Sequence, residues 1–342
     1  MSPTVPTEGL YQAACVQAAP IAFDVERTLQ KAADLTADAA RRGARVVLFP
    51  EAFISAYPRG AGFGTVVGAR SPEGREQFSL YHRSSIDVPG PAVQRLGEIA
   101  RQNNVHLVMG VIERDGGTLY CTVLFFAPTG SYLGKHRKLM PTGSERLIWG
   151  FGDGSTMPVF ETELGKMGAV ICWENYMPMM RAAMYAQHIQ LYLAPTADGR
   201  ATWMPSMQHI ALEGRCFVLS SNQFCKRSDY PLDYKSELPS DPSAIVSRGG
   251  SCIINPLGQV LAGPLWDEEG IITAEIDMNV TTQALYDFDP VGHYSRPDVF
   301  KLLVDTRAKP AVEFLAGGSG DPRSQAVSET NTTAQGTGSY RS

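Results

Sequence analysis

Apolar residues recur at spacings of three and four over 25–42, where Val25, Leu29, Ala32, Thr36 and Ala39 share one face. That period predicts a helix, with Asp24 as its N-cap and Gly43 as its stop. The next run, Arg-Val-Val-Leu-Phe over 45–49, is short and continuously apolar, which predicts a buried strand. The pattern then repeats. Pro91 opens a helix carrying Val93, Leu96, Ile99 and Ala100, and a strand follows over 105–112. Residues 119–126 and 131–135 read as a hairpin turning at Pro128-Thr129-Gly130. Further strands are predicted over 167–172, 189–194, 216–221, 251–255 and 271–276, and helices over 178–187 and 204–213. Asn255-Pro256-Leu257-Gly258 is a second hairpin turn signal. The Pro-, Ser- and Asp-rich stretch 226–247 reads as a long surface loop. Helices and strands alternate, with more turn-joined strand pairs than an all-parallel protein contains, so the fold class is α/β.

Large apolar residues all but stop near Gly317, where Gly, Ser, Thr and Gln take over. Residues 317–342 are expected to be a disordered tail, which leaves 1–316 as one domain. The chain of 342 residues is long enough to bury a sizeable core. Its net charge of -5 and the brevity of its densest basic knot, Lys135 to Lys138, argue against a nucleic-acid partner. No apolar run reaches the ~18 residues that a membrane span needs, and no secretion signal precedes the first helix. Cys15, Cys121, Cys172, Cys216, Cys225 and Cys252 form no CxxC pair. That spacing points away from zinc and disulfides, and towards free thiols in a reducing cytoplasm.

Three segments place a reactive side chain just after a strand-like run. Phe49-Pro50-Glu51 ends an apolar strand in a carboxylate, where ligands of α/β sheets bind, although a solvated acid capping the next turn fits as well. Ile171-Cys172-Trp173-Glu174-Asn175 delivers a thiol to a polar turn before a predicted helix, whose positive end favours thiolate. The plain alternative is a core cysteine. Gly134-Lys135-His136-Arg137-Lys138 resembles a solvated basic face. In an extended chain, however, His136 and Lys138 point one way while Lys135 and Arg137 point the other, so a cation can face inward. A thiol needs a base, and a buried carboxylate with a raised pKa can serve. Attack on a nitrile or amide carbon builds negative charge that an ammonium can stabilise. Among His82, His106, His136, His188, His209 and His293, no motif sets one apart as an alternative base.

Phe49-Pro50-Glu51-Ala52-Phe53, His136-Arg137-Lys138-Leu139-Met140-Pro141-Thr142 and Cys172-Trp173-Glu174-Asn175 resemble the three signature segments of the nitrilase superfamily, in the same order. The resemblance implies a four-layer α-β-β-α sandwich. It further implies Glu51 as general base, Lys138 as stabiliser of the tetrahedral intermediate and Cys172 as nucleophile. Glu145, in the stretch 145–155, is similar to a second active-site glutamate of true nitrilases, and 289–299 resembles the nitrilase C-terminal signature. The Cys172-Trp-Glu-Asn form resembles the nitrile-cleaving branch, and Asn175 stands where cyanide-hydrolysing relatives more often carry histidine. The implied reaction converts a small organic nitrile to its acid and ammonia without metal or cofactor. The resemblance also implies a homo-oligomer, a dimer or a longer spiral assembly. Tyr57, Trp173 and Trp203 lie near the signature segments and are candidate pocket walls for an apolar nitrile. The competing readings are an amidase of the same superfamily and a non-catalytic filament or scaffold protein on the same fold.

Overall fold

In a computed structural model describing residues 9–313, the strand Leu10–Gln17 divides its side chains between two apolar layers. Ala13 and Cys15 enter one, and Ala14 and Val16 the other. The split is the two-residue period of a strand covered on both faces. It recurs in Ala44–Leu48, where Val46 and Leu48 join Cys15 while Val47 joins Ala14. Across the molecule, Leu191 and Leu193 face the layer of Cys15, whereas Tyr192 faces outward into a third layer.

These strands build two sheets. The first runs Gly270–Asp277, Leu10–Gln17, Ala44–Leu48, His106–Asp115, Thr118–Phe126, Tyr132–Arg137, with Ile86–Asp87 paired to His106–Asp115. The second runs Phe224–Lys226, Ile245–Ile254, Phe217–Ser220, Leu191–Leu193, Gly165–Ala169, Phe160–Thr162, with Val260–Trp266 paired to Ile245–Ile254. Each has a parallel centre: Leu10–Gln17, Ala44–Leu48 and His106–Asp115 in the first, and Gly165–Ala169, Leu191–Leu193 and Phe217–Ser220 in the second. Leu48, Val108 and Ile112 of the first sheet share one apolar layer with Met167, Leu191, Phe217 and Ile253 of the second. Helices Val25–Arg41 and Pro91–Asn103 cover the other face of the first sheet through Leu29, Ala32, Leu96 and Ile99. Helices Pro178–Tyr185 and Trp203–Gly214 cover the second through Met180, Met184, Met207 and Ile210. The layer order is therefore the expected α-β-β-α.

Asp24 caps the first helix, its Oδ1 accepting from the Arg27 N–H at 3.0 Å. The hairpin Thr118–Phe126/Tyr132–Arg137 turns where the sequence predicts. The longest unpredicted elements are strand Leu10–Gln17 and helices Pro72–Arg83 and Asn279–Asp287. Pro72–Arg83 buries Gly74 and Tyr81 alone, so it carries no apolar period to read. The end of the expected surface loop, 245–247, instead opens the strand Ile245–Ile254. The body that carries the site runs to Arg307, and the tail expected over 317–342 lies outside the described residues. Among the described residues, no helix is long and apolar enough to cross a membrane.

Candidate active site

Glu51, Lys138, Cys172 and Thr196 each follow the end of a strand, the first two from the first sheet and the last two from the second. The turn at Glu51 lies directly on the neighbouring strand. A Cβ at Gly110 would sit 2.0 Å from the Pro50 carbonyl oxygen, so glycine is required for the approach. Lys138 extends the ladder beyond Arg137, its N–H donating to Cys121 O at 2.8 Å. The strand predicted over 167–172 ends at Ala169. Beyond it, Val170 N still donates to Leu193 O and Cys172 N to Pro195 O, both at 2.9 Å. Cys172 then takes φ 50°, a left-handed conformation that non-glycine residues hold only when their surroundings enforce it. The Asn175 amide enforces it, donating to Cys172 O at 2.7 Å and Val170 O at 2.9 Å.

The charged groups meet between the sheets. The Lys138 ammonium donates to Glu51 Oε1 at 2.6 Å and to Glu145 Oε2 at 2.8 Å. Tyr57 OH donates to Glu145 Oε1 at 2.6 Å, and Thr142 N–H to Glu145 Oε2 at 2.6 Å. Glu51 Oε2 is buried and has no hydrogen-bond partner among the described residues. Burial pushes the Glu51 carboxyl up, with Glu145 acting in the same sense, against the Lys138 ammonium and the Cys172 thiol that hold it down. Burial pulls Lys138 the other way, but Glu51 and Cys172 overcome it and keep the ammonium charged. The Cys172 thiol is raised by burial and by Glu51, with Lys138 and the Thr196 hydroxyl opposing. Thr196 Oγ1 lies 3.2 Å from Cys172 Sγ. The Cys172 thiol is thus held above its ordinary pKa beside a carboxyl group with one open oxygen. This arrangement needs proton transfer to begin chemistry.

The structure brings Glu51, Lys138, Glu145 and Tyr57 into one hydrogen-bonded set. Tyr57 and Glu145 also line a cavity of ≈ 420 Å³ with Gly60, Thr142, Ile148 and Glu237. Trp173, next to Cys172, is partly exposed and donates from Nε1 to Asp198 Oδ2 at 2.9 Å. Trp203, expected as a pocket wall, packs instead in the outer helical layer and donates from Nε1 to Ser220 Oγ at 2.9 Å. Its sequence position after a strand end is overridden by the inward turn of helix Trp203–Gly214, which buries it. Four neighbours escaped the sequence reading of the site. Thr196 reaches the thiol, and Cys121 Sγ approaches Glu51 Oε1 at 3.5 Å. Gln223 Nε2 donates to Glu51 O at 2.8 Å, and the Trp149 ring lies 5.4 Å from the Lys138 ammonium. No local signal marks them, because each acts across the fold. Among the described residues, no group of three His, Cys, Asp or Glu side chains could hold a metal ion.

A sequence profile of the carbon-nitrogen hydrolase family matches residues 12–286. The chain is 56% identical over 310 residues to a bifunctional nitrilase/nitrile hydratase of Lupinus angustifolius, spanning 89% of each chain. It is also 56% identical over 302 residues to an aliphatic nitrilase of Sinorhizobium fredii, spanning 88% of this chain and 98% of that one. Among solved structures, a carbon-nitrogen hydrolase from Helicobacter pylori superposes with a TM-score of 0.68 at 20% identity, covering 86% of this chain and 97% of that one. At that identity the likeness concerns the fold.

Proposed function

Because this chain belongs to the carbon-nitrogen hydrolase family, we propose that it is a nitrilase, hydrolysing a small organic nitrile to the carboxylic acid and ammonia. Glu51 accepts the Cys172 proton as the sulfur attacks the nitrile carbon, giving a covalent thioimidate. Lys138 stabilises the negative charge developing on nitrogen, and Glu51 hands the proton taken from Cys172 to that nitrogen, returning to a carboxylate. Water, deprotonated by Glu51 or Glu145, adds to the thioimidate carbon. Loss of ammonia leaves a thioester, and a second water releases the acid and restores the thiol. If the tetrahedral adduct expels Cys172 instead, the amide leaves, a branch in keeping with the double name of the lupin relative. Tyr57 and Trp173 are proposed walls for the nitrile side chain.

The observation that carries this reading is a buried Glu51 carboxyl beside Cys172, with one oxygen bound by Lys138 and the other open, in a chain that shares most of its length with nitrilases. Six unpaired, buried cysteines support a cytoplasmic location. Exposed Val66, Leu147, Phe151 and Met179 support a homo-oligomer, a dimer or longer spiral, which a monomer of full activity in light scattering would refute.

Ammonia release from phenylacetonitrile, a benzonitrile, an aliphatic dinitrile and β-cyanoalanine, each beside its amide, tests the function. Release from nitriles is expected, and in Cys172→Ala a fall of about 10⁴-fold or more. Release from amides alone would move the chain to the amidase reading. Nitrile turnover surviving in Cys172→Ala would overturn the nucleophile assignment.

A further inference from the structure

Glu174 lies two residues after Cys172, and its side chain is fully buried. No step of the reaction above uses it. Its carboxylate nevertheless accepts three N–H donors from two separate segments. Oε1 accepts from Leu139 N at 2.5 Å, while Oε2 accepts from Ile171 N at 2.8 Å and His136 Nε2 at 2.9 Å. Ile171 immediately precedes Cys172, and Leu139 immediately follows Lys138. The two segments leave different sheets, so no strand ladder sets the distance between them. A single carboxylate bridges that gap.

The partner of this carboxylate is itself held in place. The second ring nitrogen of His136, Nδ1, lies 2.5 Å from Thr156 O, which can only accept. Both ring nitrogens therefore face acceptors, which calls for a hydrogen on each. Burial opposes the imidazolium charge, but Glu174 and the Thr156 carbonyl outweigh it and hold His136 above its ordinary pKa. An amide at position 174 could not replace the carboxylate. It would turn an N–H group towards Ile171 N–H or Leu139 N–H, donor against donor.

We propose that Glu174 is a positioning residue, a buried strut that fixes the Cys172 turn against the Lys138 segment, with His136 as its counter-ion. The strut rests on the assignment of Cys172 and Lys138 above. It also opposes relaxation of the left-handed Cys172 backbone, because Ile171 N–H is tied immediately before it.

The test measures nitrile hydrolysis by the full chain, with kcat expressed per protein recovered in the native peak of gel filtration so that unfolded protein is not counted. Glu174→Gln is expected to lower kcat about 100-fold, the scale of a small misplacement of reacting groups. Its KM should stay within about threefold, since only the reacting geometry is disturbed. Where Glu174→Gln does not fold, the His136 variants decide. His136→Gln keeps an amide donor within reach of Glu174 and is expected to retain several-fold more kcat than His136→Asn, which is too short to reach. A merely structural role predicts a lower Tm with kcat per folded protein equal to the parent in all three variants, and that result would overturn the proposal. Cys172→Ala in the same assay separates the premise. Turnover surviving there removes the site assignment itself, whereas an inactive Cys172→Ala beside a parent-like Glu174→Gln removes the strut alone.

Discussion

Four basic groups stand in a row from Lys135 to Lys138, and the two faces of this segment put them to different uses. On one face lies Glu113, whose Oε1 accepts from Lys135 Nζ at 2.5 Å and Arg137 Nη2 at 2.6 Å. Its Oε2 accepts from Arg137 Nε at 2.9 Å and Thr122 Oγ1 at 3.0 Å. On the other face Lys138 meets Glu51 and Glu145, while His136 meets Glu174. Glu113 and Glu51 are equally buried, at 1% and 0% exposure. The difference is saturation: Glu113 has donors on both oxygens, whereas Glu51 Oε2 has none among the described residues. A saturated carboxylate stabilises a fold, and an open one in a dry site can take a proton. Identical residue types thus form a saturated cluster on one face of a strand and an open one, the proposed catalytic set, on the other.

The sharpest attempt to break this contrast is Glu51→Gln. It is expected to lower kcat/KM for a nitrile by about 10²–10⁴-fold, the usual contribution of a general base. Turnover near the parent value would make Glu51 a second Glu113. Next in size is Gly110→Ala, whose methyl would collide with Pro50 O and push the Glu51 turn off its neighbouring strand. A loss of about 100-fold in kcat is expected from such misplacement. Unchanged kcat would mean that the turn does not position the carboxylate. The smallest effect on turnover belongs to Glu113→Gln, with kcat/KM within about threefold of the parent. Its cost should appear in urea denaturation instead, as about 1–3 kcal/mol of lost stability from unsatisfied donors. A large kcat loss there would erase the distinction between the faces.

Much of this was legible in the residues. The layers follow from the period of helices at 25–42 and 91–103 and from strands apolar on both faces, because neither sheet face meets water. Glu51 and Cys172 stood out because each follows an apolar run, where an α/β sheet opens to ligand, and Lys138 because alternation lets one cation of a basic segment face inward. The end of the strand at Ala169 was hidden, since Val170 and Ile171 remain apolar and buried after the regular ladder stops. Trp203 was misjudged because proximity to a strand end does not reveal which way the following helix turns it. His136 looked like one histidine among six, for its partner lies 38 residues away. Glu174 and Thr196 gain their roles from contacts that only the pairing of two sheets creates.

That pairing has a mechanical consequence. Glu51 and Lys138 ride on one sheet while Cys172 and Thr196 ride on the other, so the two halves of the proposed site are carried from opposite sides of a single hydrocarbon layer. Protein interiors are close-packed and compress little, but they do not compress evenly. Hydrostatic pressure, or a methylene added to or removed from Leu191 or Val108, is therefore expected to alter turnover through that spacing without any contact with substrate. The enzyme's activity is in this sense a manometer for its own core.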